Sequence, residues 1–440
     1  MVFLMTNQFV ELVGRQAATD LRQIHTRLRD RASGVTTLRR CGNIAELRRL
    51  ARRRVPKAVF DFVDGAAEDE RTAARNREGF GRLALWPRAL VDVSEVDLAT
   101  TVLGEPVAVP LVGAPTGLTG LLHERGEVAV ARAVHAAGSV YIASAMASYS
   151  IEELSRLAPG PTWFQLYVWR DRGLVRELVQ RAGAANHLAL VLTIDVPRAG
   201  ARERDRRNGF GIPPRLTLRS AAEGLLRPRW SAAFVRRPRM AVANAAGHDG
   251  APNDAVSLTD YINSQFDPTL SWHDVAWLRE QWTGPLVVKG VLRPEDARDA
   301  VSAGAEAVVV SNHGGRQLAQ TTSAIGALPA VVDAVGADAE VYVDGGIRRG
   351  ADVAAALALG ARACLAGRAL LYGLGAGGDE GAARAMGILV EELRRTLELA
   401  GCQSVRELDR SWVVDAATTQ AIPAAQYSIT DSRADPDSRS

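Results

Sequence analysis

The chain has 440 residues, 47% of them hydrophobic and only 5% aromatic, a balance that suits a parallel sheet covered by helices and argues against a β-sandwich. No run reaches the roughly 18 apolar residues of a membrane span, and the segment after Met1 lacks the basic leader and long apolar stretch of a signal peptide. The net charge of +3 conceals +9 on residues 1–57 and +8 on residues 206–240, leaving −14 on the remainder. Neither basic segment carries a nucleic-acid motif or an aromatic stacking platform, so nucleic acid is not the expected partner, whereas an anionic membrane surface or an acidic protein is.

Residues 1–41 read as a basic helical extension, with apolar positions at Leu12, Leu21, Ile24 and Leu28. Helical segments follow around Ile44–Arg54 and Lys57–Val63. From Val107 to Arg368 short β-rich runs alternate with Ala-rich helical runs. The expected strands are Val107–Ala114, Val140–Ala145, Thr162–Val168, Leu188–Ile194, Leu286–Lys289, Ala307–Val310, Glu340–Val343 and Ala363–Ala366. Eight strand–helix units are the number that closes a parallel barrel, so the expected fold is α/β, a TIM (β/α)8 barrel with its site at the strands' C-terminal ends. Helices are expected to stop at Gly138, Gly183, Gly304, Gly336 and Gly360, glycine supplying the left-handed residue past a helix. Residues 206–270 interrupt the period after strand four and form a lid or docking insert on the catalytic face. The run Gly373-Leu-Gly-Ala-Gly-Gly378 matches the letters of a dinucleotide loop, yet it follows a helical run and reads as a loop of another kind. The barrel unit is expected over residues 42–416 and a disordered tail over 417–440. Cys41, Cys364 and Cys402 are scattered without metal-ligand spacing, as reduced thiols of a cytoplasmic protein would be. Cys364, in an apolar strand with no activating base, is expected to pack in the core.

Every expected strand ends in residues that packing alone would not choose. The ends carry Pro115-Thr-Gly117; Ser144; Gln165 and Tyr167; Thr193 and Asp195, with Arg202 beyond; Lys289; Ser311-Asn-His-Gly-Gly-Arg-Gln317; Asp344-Gly-Gly-Ile-Arg-Arg-Gly350; and Gly367-Arg368. Gly345, Gly346 and Gly367 let backbone N–H groups approach an anion, and Arg348 and Arg368 supply charge, which suits a mononucleotide phosphate. Lys289, Gln165, Ser144 and Thr193 would then surround its ring, a lysine favouring an anionic reduced flavin. Lys289 can equally pair with Asp344. Removing hydrogen from a 2-hydroxy acid needs a base, a group to hold it and cations for the carboxylate. His313 with Asp195 answers the first two needs, Arg316 and Arg202 the third, and Tyr167 can hydrogen-bond the hydroxyl. His123, His135, His187, His248 and His273 lack such company and read as surface or packing residues.

Ser-Asn-His-Gly-Gly-Arg-Gln, Lys-Gly-Val-Leu, Asp-Gly-Gly-Ile-Arg-Arg-Gly, Phe-Gln-Leu-Tyr and Leu-Thr-Ile-Asp-Val-Pro together resemble the FMN-dependent 2-hydroxy acid oxidase/dehydrogenase family from about Ile44 to Val413. The long insert and Phe266-Asp-Pro-Thr-Leu-Ser-Trp272 look most like its quinone-linked L-lactate dehydrogenases. The resemblance implies non-covalent FMN, a lactate-like L-2-hydroxy acid oxidised to the 2-oxo acid, quinone or oxygen as acceptor, and a homotetramer; the scattered thiols suggest a cytoplasmic protein, and the basic insert suggests peripheral contact with the inner face of the membrane. It implies His313 as base, Asp195 as its partner and Arg316 and Arg202 as carboxylate ligands. Flavin contacts carry over to Pro115, Thr116, Gly117, Ser144, Gln165, Thr193, Lys289, Ser311, Asp344, Gly345, Arg348, Gly367 and Arg368. Three positions depart from the family's habit. Phe62 stands where a tyrosine usually binds the substrate carboxylate, which removes a charge-assisted hydrogen bond of about 1.5–3 kcal/mol. Ala319 replaces an aspartate and is expected to loosen its loop. Met146 stands at a position beside the flavin that is bulky in some members, and it leaves the size of the substrate open. Phe62 motivates an alternative, a pathway-specific flavin oxidase whose substrate lacks the usual carboxylate; a catalytically dead scaffold is disfavoured by the intact His313, Asp195, Arg316, Arg202 and Lys289.

Overall fold

A computed structural model describes residues 35–209, 223–236, 239, 242–245, 261 and 264–417. The extension before residue 35, much of the insert at 206–270 and the tail after 417 lie outside the described residues.

Eight parallel strands close into a barrel in sequence order: β1 (Leu111–Gly113), β2 (Tyr141–Ser144), β3 (Thr162–Leu166), β4 (Leu190–Thr193), β5 (Leu286–Val291), β6 (Ala307–Val310), β7 (Glu340–Val343) and β8 (Ala363–Ala366). All eight expected strands are present. Strand alternation divides their apolar residues between two cores. Val112, Ile142, Trp163, Val191, Val287, Val309, Tyr342 and Leu365 fill the barrel interior. Their neighbours Leu111, Ala143, Phe164, Leu192, Val288, Val310, Val343 and Ala366 pack in the other core, together with the helices. The first strand begins at Leu111 rather than Val107. Val107 instead pairs with Thr100 in an antiparallel hairpin, and with Val102 it joins the interior core and closes one end of the barrel.

Of the expected glycine helix ends, Gly138, Gly304 and Gly360 take positive φ values of 72°, 94° and 100°. Gly183 lies inside the helix Arg172–Ala184, and Asn186 takes the left-handed position at φ 57° instead. Gly336 ends its helix with ordinary right-handed geometry at φ −64°. The run Gly373–Gly378 is not a loop. It belongs to the buried helix Arg368–Ala400, which breaks at Gly377 and Gly378. A Cβ on Gly373 would lie 2.2 Å from the carbonyl oxygen of Gly381, so these glycines serve a backbone crossing too close for any side chain. Cys364 is buried in β8 as expected, with burial pushing its thiol up.

Candidate active site

Alternation brings the next inward position two residues past each apolar layer. Above Trp163 comes Gln165, above Val191 comes Thr193, and above Val287 comes Lys289. In the same way Ile142 leads to Ser144, Val309 to Ser311 and Tyr342 to Asp344. All six are buried, each 7% exposed or less. The strands thus deliver a ring of polar side chains to the barrel mouth. One cavity there is lined by Pro115, Thr116, Gly117, Ser144, Met146, Gln165, Tyr167, Thr193, Arg202, Lys289, His313, Arg316, Asp344, Gly345, Gly346, Arg348, Gly367, Arg368 and Phe62. Only Ser311 and Asp195 among the expected site residues stand behind that lining, and each bonds to a residue in it.

Those two residues knit the base to the ring. Lys289 Nζ donates to Ser311 Oγ at 2.9 Å and pairs with Asp344 Oδ2, also at 2.9 Å. Burial pushes the Lys289 ammonium down, but Asp344 and Asp195 outweigh it and leave the group more firmly protonated than usual. The backbone N–H of His313 donates to the same Ser311 Oγ at 3.0 Å. His313 Nδ1 lies 2.9 Å from Asp195 Oδ1, which fixes the ring and leaves Nε2 as the free edge. Burial pushes the Asp195 carboxyl up, yet His313 and Lys289 together hold it below the usual carboxylate range. Asp195 can approach because its neighbour is glycine: at Gly290, φ 110°, a Cβ would fall 2.8 Å from the Asp195 side chain.

His313 itself has φ 56°, a left-handed backbone that costs a non-glycine residue energy and is held only where the surroundings dictate it. Asn312 and Asn76 provide that hold. Their side-chain amides exchange two hydrogen bonds of 2.8 Å, and Asn312 Oδ1 also accepts from Gly315 N. Neither residue was singled out from the sequence. Asn76 lies 236 positions away, and a lone Asn in a helix carries no signal. The Ala319 loop is not loosened: its carbonyl accepts from both the N–H and the hydroxyl of Thr72.

Two arginines flank Phe62, with Arg202 Cζ 5.3 Å and Arg316 Cζ 5.4 Å from its ring centre. Arg316 Nη1 donates to the carbonyls of Phe62 and Gly65. Burial, then repulsion from Arg202 and Arg368, makes the Arg316 guanidinium markedly easier to deprotonate than usual. Such crowding of cations favours an anionic ligand. The counter-charge present is Asp205, 3.3 Å from Arg202 Nε; its carboxyl is pushed up by burial. Tyr167 is raised by burial and by Asp195 and meets Phe266 edge-on at 5.3 Å. Phe266, Val196 and Val242 add apolar wall.

Other residues of the cavity suit a mononucleotide. Thr116 Oγ1, Gln165 Nε2 and Asp344 Oδ1 are buried with no hydrogen-bond partner among the described residues, which suits a ligand rich in ring heteroatoms and hydroxyls. Gly345 and Gly346 adopt φ 83° and 106°, and Gly367 precedes a helix N-terminus, so backbone N–H groups can face a phosphate. Arg368 donates to the carbonyls of Val63, Gly314 and Gly65, so it also ties the histidine loop to the N-terminal helices.

A closed parallel barrel whose mouth gathers glycine turns, buried polar side chains, a histidine–aspartate pair and several arginines suits an enzyme built round a nucleotide cofactor. Residues 51–415 match the family model described as FMN-dependent dehydrogenase, and the chain belongs to that family. It is 45% identical over 377 residues to a putative L-lactate dehydrogenase of Mycobacterium tuberculosis, covering 85% of this chain and 90% of that protein. It is 41% identical to glycolate oxidase 1 of Zea mays, covering 87% and 98%. The crystal structure of the monotopic membrane protein (S)-mandelate dehydrogenase aligns with a TM-score of 0.82 at 38% identity, covering 86% of this chain and all of that one. FMN is the cofactor of the family, and the polar half of the cavity is suited to it.

Proposed function

We propose that the protein oxidises an L-2-hydroxy acid to the 2-oxo acid. The observation that carries this reading is the 2.9 Å pair of His313 and Asp195, set in one cavity with Arg202, Arg316 and Lys289. The substrate carboxylate sits against Arg316 and Arg202, which offsets their mutual repulsion. Tyr167 hydrogen-bonds the substrate hydroxyl. His313 takes one proton, and the ionised Asp195 stabilises the imidazolium that results. The polar half of the cavity would hold FMN, which would supply the acceptor for the two electrons and the second hydrogen. Lys289, kept protonated by two carboxylates, favours negative charge on the reduced ring. The cavity's apolar wall of Met146, Val196, Val242 and Phe266 receives the substrate's side chain.

Electrons then pass to a quinone, with oxygen as the other acceptor. The exposed Leu225, Leu226 and Val235, on a segment rich in arginine, support peripheral contact with an anionic membrane through the insert. No helix among the described residues is long and apolar enough to cross a membrane. A homo-oligomer, a cytoplasmic face and the division into extension, barrel and tail complete the reading.

An anaerobic screen tests it. The purified yellow protein should bleach with at least one L-2-hydroxy acid and not with its D-enantiomer. Retention of flavin that no hydroxy acid reduces would overturn this reading and favour an oxidase for a substrate without the carboxylate.

A further inference from the structure

A second cavity, of about 330 Å³, lies under the helix Pro228–Arg236 of the insert, and its size is that of a small-molecule site. One wall is aromatic: Trp230 and Phe234, four residues apart on that helix, stack on each other at 4.6 Å with an interplanar angle of 19°. Leu122 adds apolar surface, and donors come from Arg227 and His123. Arg227 Nε is buried with no hydrogen-bond partner among the described residues. His123 Nδ1 accepts the backbone N–H of Arg125 at 3.2 Å, which leaves the ring proton on Nε2. Trp230 Nε1 donates to the carbonyl of Leu121 at 3.0 Å and so fastens the helix to the turn that joins the two cavities. Leu118 lines the active-site cavity and Gly120 lines this one; two chain steps separate their Cα atoms by at most about 7.6 Å. Beside the lining residues in sequence, Leu225, Leu226 and Val235 are 82%, 78% and 80% exposed.

We infer that this cavity binds the ring of the quinone that reoxidises the enzyme. A quinone ring is flat, apolar on its faces and accepts hydrogen bonds at its two carbonyls. Stacked aromatics suit its faces, Arg227 Nε and His123 Nε2 suit its carbonyls, and the exposed leucines suit a hydrocarbon tail leading to a membrane. Reoxidation brings two electrons and one proton from the reduced cofactor, and one proton from water, onto the quinone, which leaves as quinol. This inference rests on the hydroxy acid oxidation proposed above and names the site of its second half.

The holoenzyme, reduced anaerobically by a hydroxy acid and mixed with a water-soluble short-chain naphthoquinone, tests the assignment. Phe234→Ala and Arg227→Gln should raise the quinone concentration for half-maximal reoxidation about tenfold. Bleaching by the hydroxy acid, reoxidation by ferricyanide and the thermal midpoint should stay as in the parent. Ultrafiltration of the same quinone with oxidised enzyme should show about tenfold weaker binding to each variant. Equal half-saturation and equal binding in parent and both variants would overturn the assignment. So would a change confined to vesicle recovery, which would make the cavity a lipid contact. If no hydroxy acid bleaches the flavin, the oxidation reading falls, and the ultrafiltration result alone decides the cavity.

Discussion

Both ends of the barrel interior are built by the same strands with the same alternation. Towards the closed end the inward positions carry Trp163, Tyr342, Val191, Val287 and Val309, capped by Val102 and Val107 of the hairpin. At the open end the next inward positions carry Gln165, Asp344, Thr193, Lys289 and Ser311. Trp163 and Tyr342 meet each other at 5.8 Å, so the closed end gains from ordinary packing. The open end buries an ion pair and leaves Gln165 Nε2 and Asp344 Oδ1 without a hydrogen-bond partner among the described residues, an arrangement that apolar residues would improve for stability alone. The difference teaches where selection for stability stops and the demands of a ligand begin: stability sets the lower layers and chemistry the last one.

Three experiments can break or sharpen that contrast. His313→Asn should carry the largest effect, lowering anaerobic flavin reduction by roughly 10²–10⁴-fold, as loss of a general base does, while the protein stays yellow. Unchanged reduction kinetics would remove His313 from the chemistry. The next test matches the two ends. Trp163→Ala should lower stability by about 3–5 kcal/mol through the cavity it leaves, with little change in flavin reduction by the protein that remains folded. Lys289→Met breaks a buried pair, so it should cost a similar ~3–5 kcal/mol and in addition weaken FMN retention and slow reduction. Denaturant titration and flavin content measured together tell the two variants apart; identical flavin behaviour would erase the distinction between the ends.

The smallest effect concerns His187, outside the barrel interior, where its ring meets Phe164 edge-on at 5.7 Å. Burial pushes its imidazole down from 6.5 to about 4. Between those values the unfolded chain binds a proton that the folded chain refuses, so this group's contribution to stability falls as pH drops from 6.5 towards 4. By pH 5 the loss should be ~1–2 kcal/mol. His187→Gln should show a correspondingly shallower decline in urea midpoint between pH 8 and pH 5. Parallel declines in parent and variant would assign the acid sensitivity to other groups.

The barrel was legible in the sequence because buried parallel strands are short apolar runs with a fixed period, and glycine or polar residues punctuate them. Most of the site was legible for a related reason. A polar residue in inward phase at a strand's end has nowhere to go but the mouth, and Lys289, Gln165, Thr193 and Ser311 all follow that rule. Sequence reading failed where a residue's meaning depends on a distant backbone. Gly373–Gly378 looked like a loop, because nothing local shows that Gly381 will cross within 2.2 Å of a Cβ placed on Gly373. Asn76 drew no notice, because its partner Asn312 is 236 residues away. Ala319 was expected to loosen a loop that Thr72 secures.

By itself the sequence determined the order of the strands, their inward and outward faces and the place of the insert between β4 and β5, and it singled out the candidate base and its cations. Those follow from local periodicity and from residue chemistry, which need no knowledge of what lies across the fold. Only the tertiary structure decided that Gly290 leaves Asp195 room to reach His313, that Asn76 holds the loop of the histidine through Asn312, and that Phe62 lies between two guanidiniums. It also brought the insert's Trp230 onto the turn beside the active site. Each of these depends on the approach of chain segments remote in sequence, and distances of 3 Å between such segments are set by packing, which no local pattern records.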